Sequence, residues 1–142
     1  MINLHFFNMK AISIKQPFAS LILEGKKTIE TRTWKTDYRG PLLICAGKKF
    51  HSGLFLRDGF LHNAKGYATA KNLPMGVMLC VVDLLGCRKM EAWQRYAACC
   101  PWGQELWAWE LANVRPVQPS AIRGQLRLFE VPDQKISYLH MG

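Results

Sequence analysis

Between residues 25 and 34 the chain reads GKKTIETRTW, and within it Lys27, Glu30 and Arg32 fall close enough together to act on one guest. Side chains alternate faces on an extended segment, so Thr28, Glu30, Arg32 and Trp34 share one side while Ile29, Thr31 and Thr33 take the other. A strand advances about 3.3 Å per residue, which places Glu30 and Arg32 roughly 6.6 Å apart along one face. Such a set can hold a nucleotide. Lys27 suits a phosphate or carbonyl oxygen, and Arg32 a bidentate contact to a phosphate or base edge. Glu30 can orient Arg32 or accept a base amino proton. Trp34 offers a stacking plate, an interaction worth about 1–3 kcal/mol per base. The plainer reading makes Glu30 and Arg32 an exposed ion pair worth about 0–1 kcal/mol and Trp34 a cover for the core.

Other residues extend the set. Gln16 precedes a helix start, where glutamine is a poor cap, so its amide is a candidate reader of a base or backbone edge. Its alternative is a solvated turn. Lys15, Arg39, Lys48 and Lys49 would form a positive rim, each being otherwise ordinary surface charge. Trp107 and Trp109 read as core, and Asp83, which interrupts an apolar strand, as the mark of a bulge or a buried hydrogen bond.

The elements that must position these residues follow from period. AISIK (11–15) alternates as a half-buried strand. Phe18, Leu21, Ile22 and Gly25 then follow helical spacing, with Pro17 tolerated at the first turn and Gly25 placed for a left-handed stop. TIETRTW returns to period two, DYRG is a turn, and PLLICAG is apolar enough for a strand covered on both faces. Ser52 could cap a helix through Leu61, and residues 63–76 read as loop. VMLCVVDLL is a buried strand, MEAWQRYAACC a short helix ended by Pro101, ELWAWEL an alternating strand, NVRPVQPSAIRG a proline-rich turn, and QLRLFEV the last strand. About five strands, one early helix and one or two later ones, without repeating strand-helix units, predict a small α+β barrel or rolled sheet.

Composition limits the function classes. The 142 residues carry 19 Lys and Arg against 10 Asp and Glu, a formal charge of +9, which favours a polyanionic partner because each neutralised phosphate releases counterions. No apolar run spans a bilayer, and MINLHFFNMK lacks the parts of a signal peptide, so the expected location is the cytoplasm. Membrane binding is not expected either, since there is no long basic amphipathic helix. Five cysteines, an odd number without CxxC or zinc-ligand spacing, read as buried free thiols; no metal and no cofactor is expected.

SIKQPFASLILEGKKTIETRTWKTDYRGPLLICAGKK resembles the opening of an ASCH domain, the activating signal cointegrator homology branch of the PUA-like superfamily. The shared pieces are Q-P-[WFY]-A (Gln16 to Ala19), G-x-K-x-x-E-x-R (Gly25, Lys27, Glu30, Arg32), Y-R-G (Tyr38 to Gly40), G-x-x-x-x-x-V-D-L (Gly76 to Leu84), and an aromatic strand followed by a Pro-containing segment and glycine (Trp107 to Gly124). The resemblance implies a PUA-like small β-barrel of five to six mostly antiparallel strands with flanking short helices over residues 11–131. Residues 1–10 would be an N-terminal extension and 132–142 a tail. It also implies a cleft for RNA or a nucleobase-sized ligand, with DNA as a possible partner. Two alternatives accompany it. Some members look like amidohydrolases of acylated nucleosides that use a lysine, a threonine three residues later and a downstream glutamate. Lys27 matches that lysine, but Glu30 stands at the threonine position and removes the nucleophile, so Lys27 and Glu30 would be catalytic only by activating water. The other alternative is a coactivator-type adaptor domain, which needs no guest-sized cleft.

Overall fold

The computed structural model describes residues 7–51 and 72–139. In chain order these form β1 (Asn8–Gln16), α1 (Phe18–Leu23), β2 (Ile29–Arg32), β3 (Gly40–Phe50), β4 (Val77–Lys89), α2 (Arg95–Ala98), β5 (Trp107–Pro116) and β6 (Leu128–Pro132). One-turn 3-10 helices at Ala92–Gln94 and Asp133–Lys135 complete the set. The strands make one sheet in the order β2-β5-β4-β3-β1-β6. Among the described residues only the β1–β3 ladder is parallel. The sheet rolls into the barrel-like PUA-like shape without closing its hydrogen-bonded ladder, and the α+β class with six mostly antiparallel strands matches the sequence expectation.

Alternation explains why the central strands are so apolar. On β3, Leu42, Ile44 and Ala46 face an inner core with Ile12, Ile14, Val82 and Trp109, while Leu43 and Cys45 face a second core with Ala11, Val81, Phe129 and Val131. Both faces are covered, as PLLICAG predicts. Helix α1 plugs the inner core with Ala19 and Ile22. Gly25 ends it at φ +76°, where the amides of Lys26 and Lys27 both bond to the Leu21 carbonyl, a left-handed stop that suits glycine.

Several boundaries differ from expectation. Strand β1 starts at Asn8 and pairs there with Pro132, so the last residues of the expected N-terminal extension lie in the sheet. Strand β2 stops at Arg32 rather than Trp34. Strand β5 runs on through Pro116, into a segment expected to turn, with a register shift at Val81/Asp83 of β4 that absorbs an extra β5 residue between Ala112 and Arg115. Asp83 sits at this bulge and accepts hydrogen bonds from Asn113 (2.9 Å) and Arg115 (2.8 Å). The helix expected over 90–100 is reduced to a 3-10 turn and the four residues of α2. The helix proposed from Ser52 to Leu61 lies outside the described residues.

Gln16 departs most from its expected role. It is fully buried, and its Nε2 donates to Ser20 Oγ and to the Pro74 carbonyl, both at 2.8 Å. Its Oε1 accepts from the Ser20 amide at 2.9 Å. Glutamine thus caps α1 from one residue before the N-cap, satisfying a first-turn amide that has no intrahelical partner. Both amide protons are engaged inside the protein, so the amide braces the helix instead of reading a ligand. Gln16→Ala is expected to lower unfolding free energy by about 2–3 kcal/mol, seen as an earlier urea midpoint.

Candidate functional site

Strand β6 pairs with β1 only from Asn8 to Ile12. Beyond Ile12 that edge of β1 has no strand neighbour among the described residues, and the roll of the sheet brings β2 towards it. The gap is bridged by a side chain: Arg32 Nη2 donates to the Ser13 carbonyl at 3.0 Å. The seam left between the strands is a cleft of about 500 Å3, within the roughly 300–1,000 Å3 of small-molecule sites. Lys15 comes from β1, Lys27, Glu30, Arg32 and Trp34 from β2 and its flanks, and Cys100 from the segment after α2.

Glu30 organises the seam. Its Oε2 accepts from Arg32 Nε (3.2 Å) and Nη2 (3.0 Å), and its Oε1 accepts from the Thr31 amide (3.1 Å) and faces Lys27 Nζ at 3.4 Å. Four donors match the four acceptor positions of a carboxylate. The ion pair is therefore not the exposed one of the plainer reading, because the Glu30 side chain is 9% exposed. Burial is the largest single influence on its carboxyl and pushes it up. The charges of Lys27 and Arg32, the Arg32 hydrogen bonds and the Thr31 amide together outweigh it and hold the group below its ordinary 4.5.

Lys27 does not swing freely at the mouth. Its side chain is 1% exposed, and its Nζ donates to the Ala98 carbonyl and lies 5.1 Å from the Phe18 ring centroid. That carbonyl belongs to the last turn of α2, where helix carbonyls lack partners and a cation is favoured. The Thr28 amide bonds to Ala97 O in the same turn (2.9 Å), and Cys99 ends α2 at φ 54°. Lys27 therefore forms the floor of the cleft and fixes α2 to β2.

Arg32 is 26% exposed. Its Nε and Nη2 are engaged, while Nη1 has no partner among the described residues. Trp34 stands edge to face with Trp109 (centroids 4.8 Å apart, planes at 89°), and the Arg127 guanidinium lies 4.3 Å over its ring. One face of the expected stacking plate is thus already covered.

Lys15 and Arg32 also line a second cavity of about 510 Å3, where Lys48 and Lys49 are found. Seven of the nine sequence-selected residues therefore meet in two adjoining spaces. Gln16 and Arg39 line neither. The Arg39 Nη1 donates to the Thr36 and Tyr38 carbonyls (2.9 and 2.8 Å), bracing its own turn. Ser13, Arg123 and Arg127 were missed by sequence reasoning, because each reaches the site through contacts distant in sequence. Five free cysteines are present, as expected, three of them buried; burial pushes Cys45 and Cys80 up to about 12. Among the described residues no helix is long and apolar enough to cross a membrane.

A sequence model of the ASCH domain matches residues 12–121. Activating signal cointegrator 1 of Mus musculus is 33% identical over 87 residues, covering 58% of this chain and 15% of that protein. Its Homo sapiens counterpart is 35% identical over 80 residues, covering 54% and 14%. The matched segment is thus only about 15% of the length of these curated relatives. Among solved structures, ASCH from Zymomonas mobilis superposes with a TM-score of 0.59 at 16% identity, covering 89% of this chain and 90% of that one. A single-residue variant of it gives 0.56 at 15% identity, covering 87% and 89%. At such identity the likeness is one of fold.

The depressed Glu30 carboxyl contributes stability that is fully present above its unfolded value of 4.5 and is lost as pH falls through the lower folded value. At pH 7, Glu30→Gln leaves two cations without their counter-charge and is expected to cost about 3–5 kcal/mol. The gap between wild type and variant, read by urea unfolding along a pH series, should hold above pH 4.5 and narrow below it.

Proposed function

The chain belongs to the ASCH domain family, and we propose that it is an RNA- or nucleotide-binding module whose ligand seats a base in the seam between β1 and β2. The observation that carries this reading is the anchored guanidinium of Arg32. Two of its nitrogens are fixed by Glu30 and Ser13, and among the described residues Nη1 has no protein partner at the wall of a cleft of about 500 Å3. A donor held in place before the ligand arrives loses little freedom on binding, and Arg is suited to phosphate and base edges. Lys15 adds charge at the rim, and the chain's +9 supplies attraction at longer range.

The geometry favours binding over hydrolysis. Glu30 is surrounded by four donors and its proton affinity is lowered, which ill suits a group that must take a proton from water near neutral pH. Lys27 Nζ is buried and engaged by Ala98 O and Glu30. A coactivator-type adaptor would bind elsewhere; Trp93, Tyr96 and Trp102 are exposed around α2. That reading does not call for a guest-sized seam.

Fluorescence anisotropy with a single-stranded RNA oligonucleotide tests the proposal. Affinity should fall steeply as salt rises, and Arg32→Ala should weaken it about tenfold at fixed salt, with circular dichroism verifying that the variant is folded. Absent or salt-insensitive binding would contradict it.

A further inference from the structure

The second cavity differs from the seam in its charge. Lys15, Arg32, Lys48, Lys49, Arg123 and Arg127 line it, with no carboxylate among the described lining residues. Among the described residues, no acidic side chain pairs with Lys15, Lys48, Lys49 or Arg123. Cations gathered without counter-charges make a site for an anion, and a basin of about 510 Å3 exceeds the needs of one small ion.

The backbone builds this basin specifically. The β1–β3 ladder runs to the Ile14–Ala46 pair and resumes at Gln16–Phe50, so Lys15 alone faces Gly47, Lys48 and Lys49. This bulge separates the strands and places both β3 lysines on the cavity, as bulges do where a strand must redirect its side chains. The opposite wall is the segment leading into β6. A Cβ at Gly124 would fall 2.8 Å from Ser13 Oγ, and one at Gly47 would fall 3.3 Å from the same atom. A side chain at 124 would therefore force the Ser13 hydroxyl to move.

Ser13, Lys15 and Arg32 line both cavities. Trp34 on the seam and Arg127 on the basin are in contact across the boundary. A ligand held in both spaces would pass Ser13, Lys15 and Arg32. We infer that the basin is the phosphate site for the backbone adjoining the seated base, so that the ligand is a single-stranded oligonucleotide rather than a free nucleoside. The inference rests on the reading of the seam as a base pocket.

The test titrates wild type and the double variant Lys48→Gln/Arg123→Gln with the four ribonucleosides and with a single-stranded RNA tetranucleotide. Both substituted residues are exposed, and thermal melting verifies that the fold is kept. Wild type should bind the tetranucleotide at least tenfold tighter than any nucleoside. The double variant should lose about tenfold on the tetranucleotide, with the slope of log affinity against log salt reduced by about 1–2, and nothing on the nucleosides. Tetranucleotide binding equal in wild type and variant overturns the basin alone, as does an equal loss on nucleosides. Failure of wild type to bind either probe overturns the seam reading and the basin with it.

Discussion

A buried carboxylate ties three elements of this domain together, β2, β1 and α2. Glu30 accepts from the Arg32 guanidinium and the Thr31 amide and faces the Lys27 ammonium. Through Arg32 it reaches the Ser13 carbonyl of β1, and through Lys27 the Ala98 carbonyl at the end of α2. Moving a lone ion into a protein interior costs several kcal/mol, and only mutual pairing with further hydrogen bonds offsets that cost. Glu30 and Lys27 can be buried, and Arg32 half-buried, because each has the others as partners.

The same interaction explains why the seam exists. A sheet rolled this far would remove its free edges by closing. Here β2 has four residues and among the described residues pairs only with β5, while β6 leaves β1 after Ile12. A guanidinium spans the remaining distance where a backbone ladder would have filled it. The edge of β1 is thereby capped at Ser13 while the space beside it stays open. Apolar side chains at these positions would have packed against one another and shut the cleft. The network therefore sets a spacing, whatever its net contribution to stability.

Much of this was legible in sequence because it depends on local period. Gly25 ends α1, the chain resumes as a strand, and Glu30 and Arg32 emerge on one face; all of that follows from residues within ten positions of each other. The alternation of Trp107, Trp109 and Leu111 against Ala108 likewise separates two cores, as the structure shows. Legibility ends where long-range contacts decide. Nothing near Lys27 in sequence indicates that its ammonium meets Ala98, and nothing near Gln16 indicates Pro74. The bulge at Gly47 to Lys49 is visible only once β1 is known to be the partner, and Arg123 joins the basin through Gly124 packing on Ser13. Arg39 shows the converse error: a basic residue near the right segment whose hydrogen bonds turn back on its own loop.

Position 30 also constrains what chemistry the seam can host. The amidohydrolase-like pattern would place a threonine there, whose hydroxyl offers one donor and two acceptor lone pairs. Such a group could not accept both Arg32 contacts and the Thr31 amide while balancing Lys27. Its introduction would leave two cations at the seam without a carboxylate, and Arg32 would lose the anchor that fixes its fork. Glutamate at 30 and arginine at 32 thus form one unit, in which the acid fixes the guanidinium and the guanidinium lets the acid be buried. A seam built on that unit presents an oriented donor instead of a nucleophile, and the basin beside it, lined by Lys15, Lys48, Lys49, Arg123 and Arg127, carries charge of the same sign.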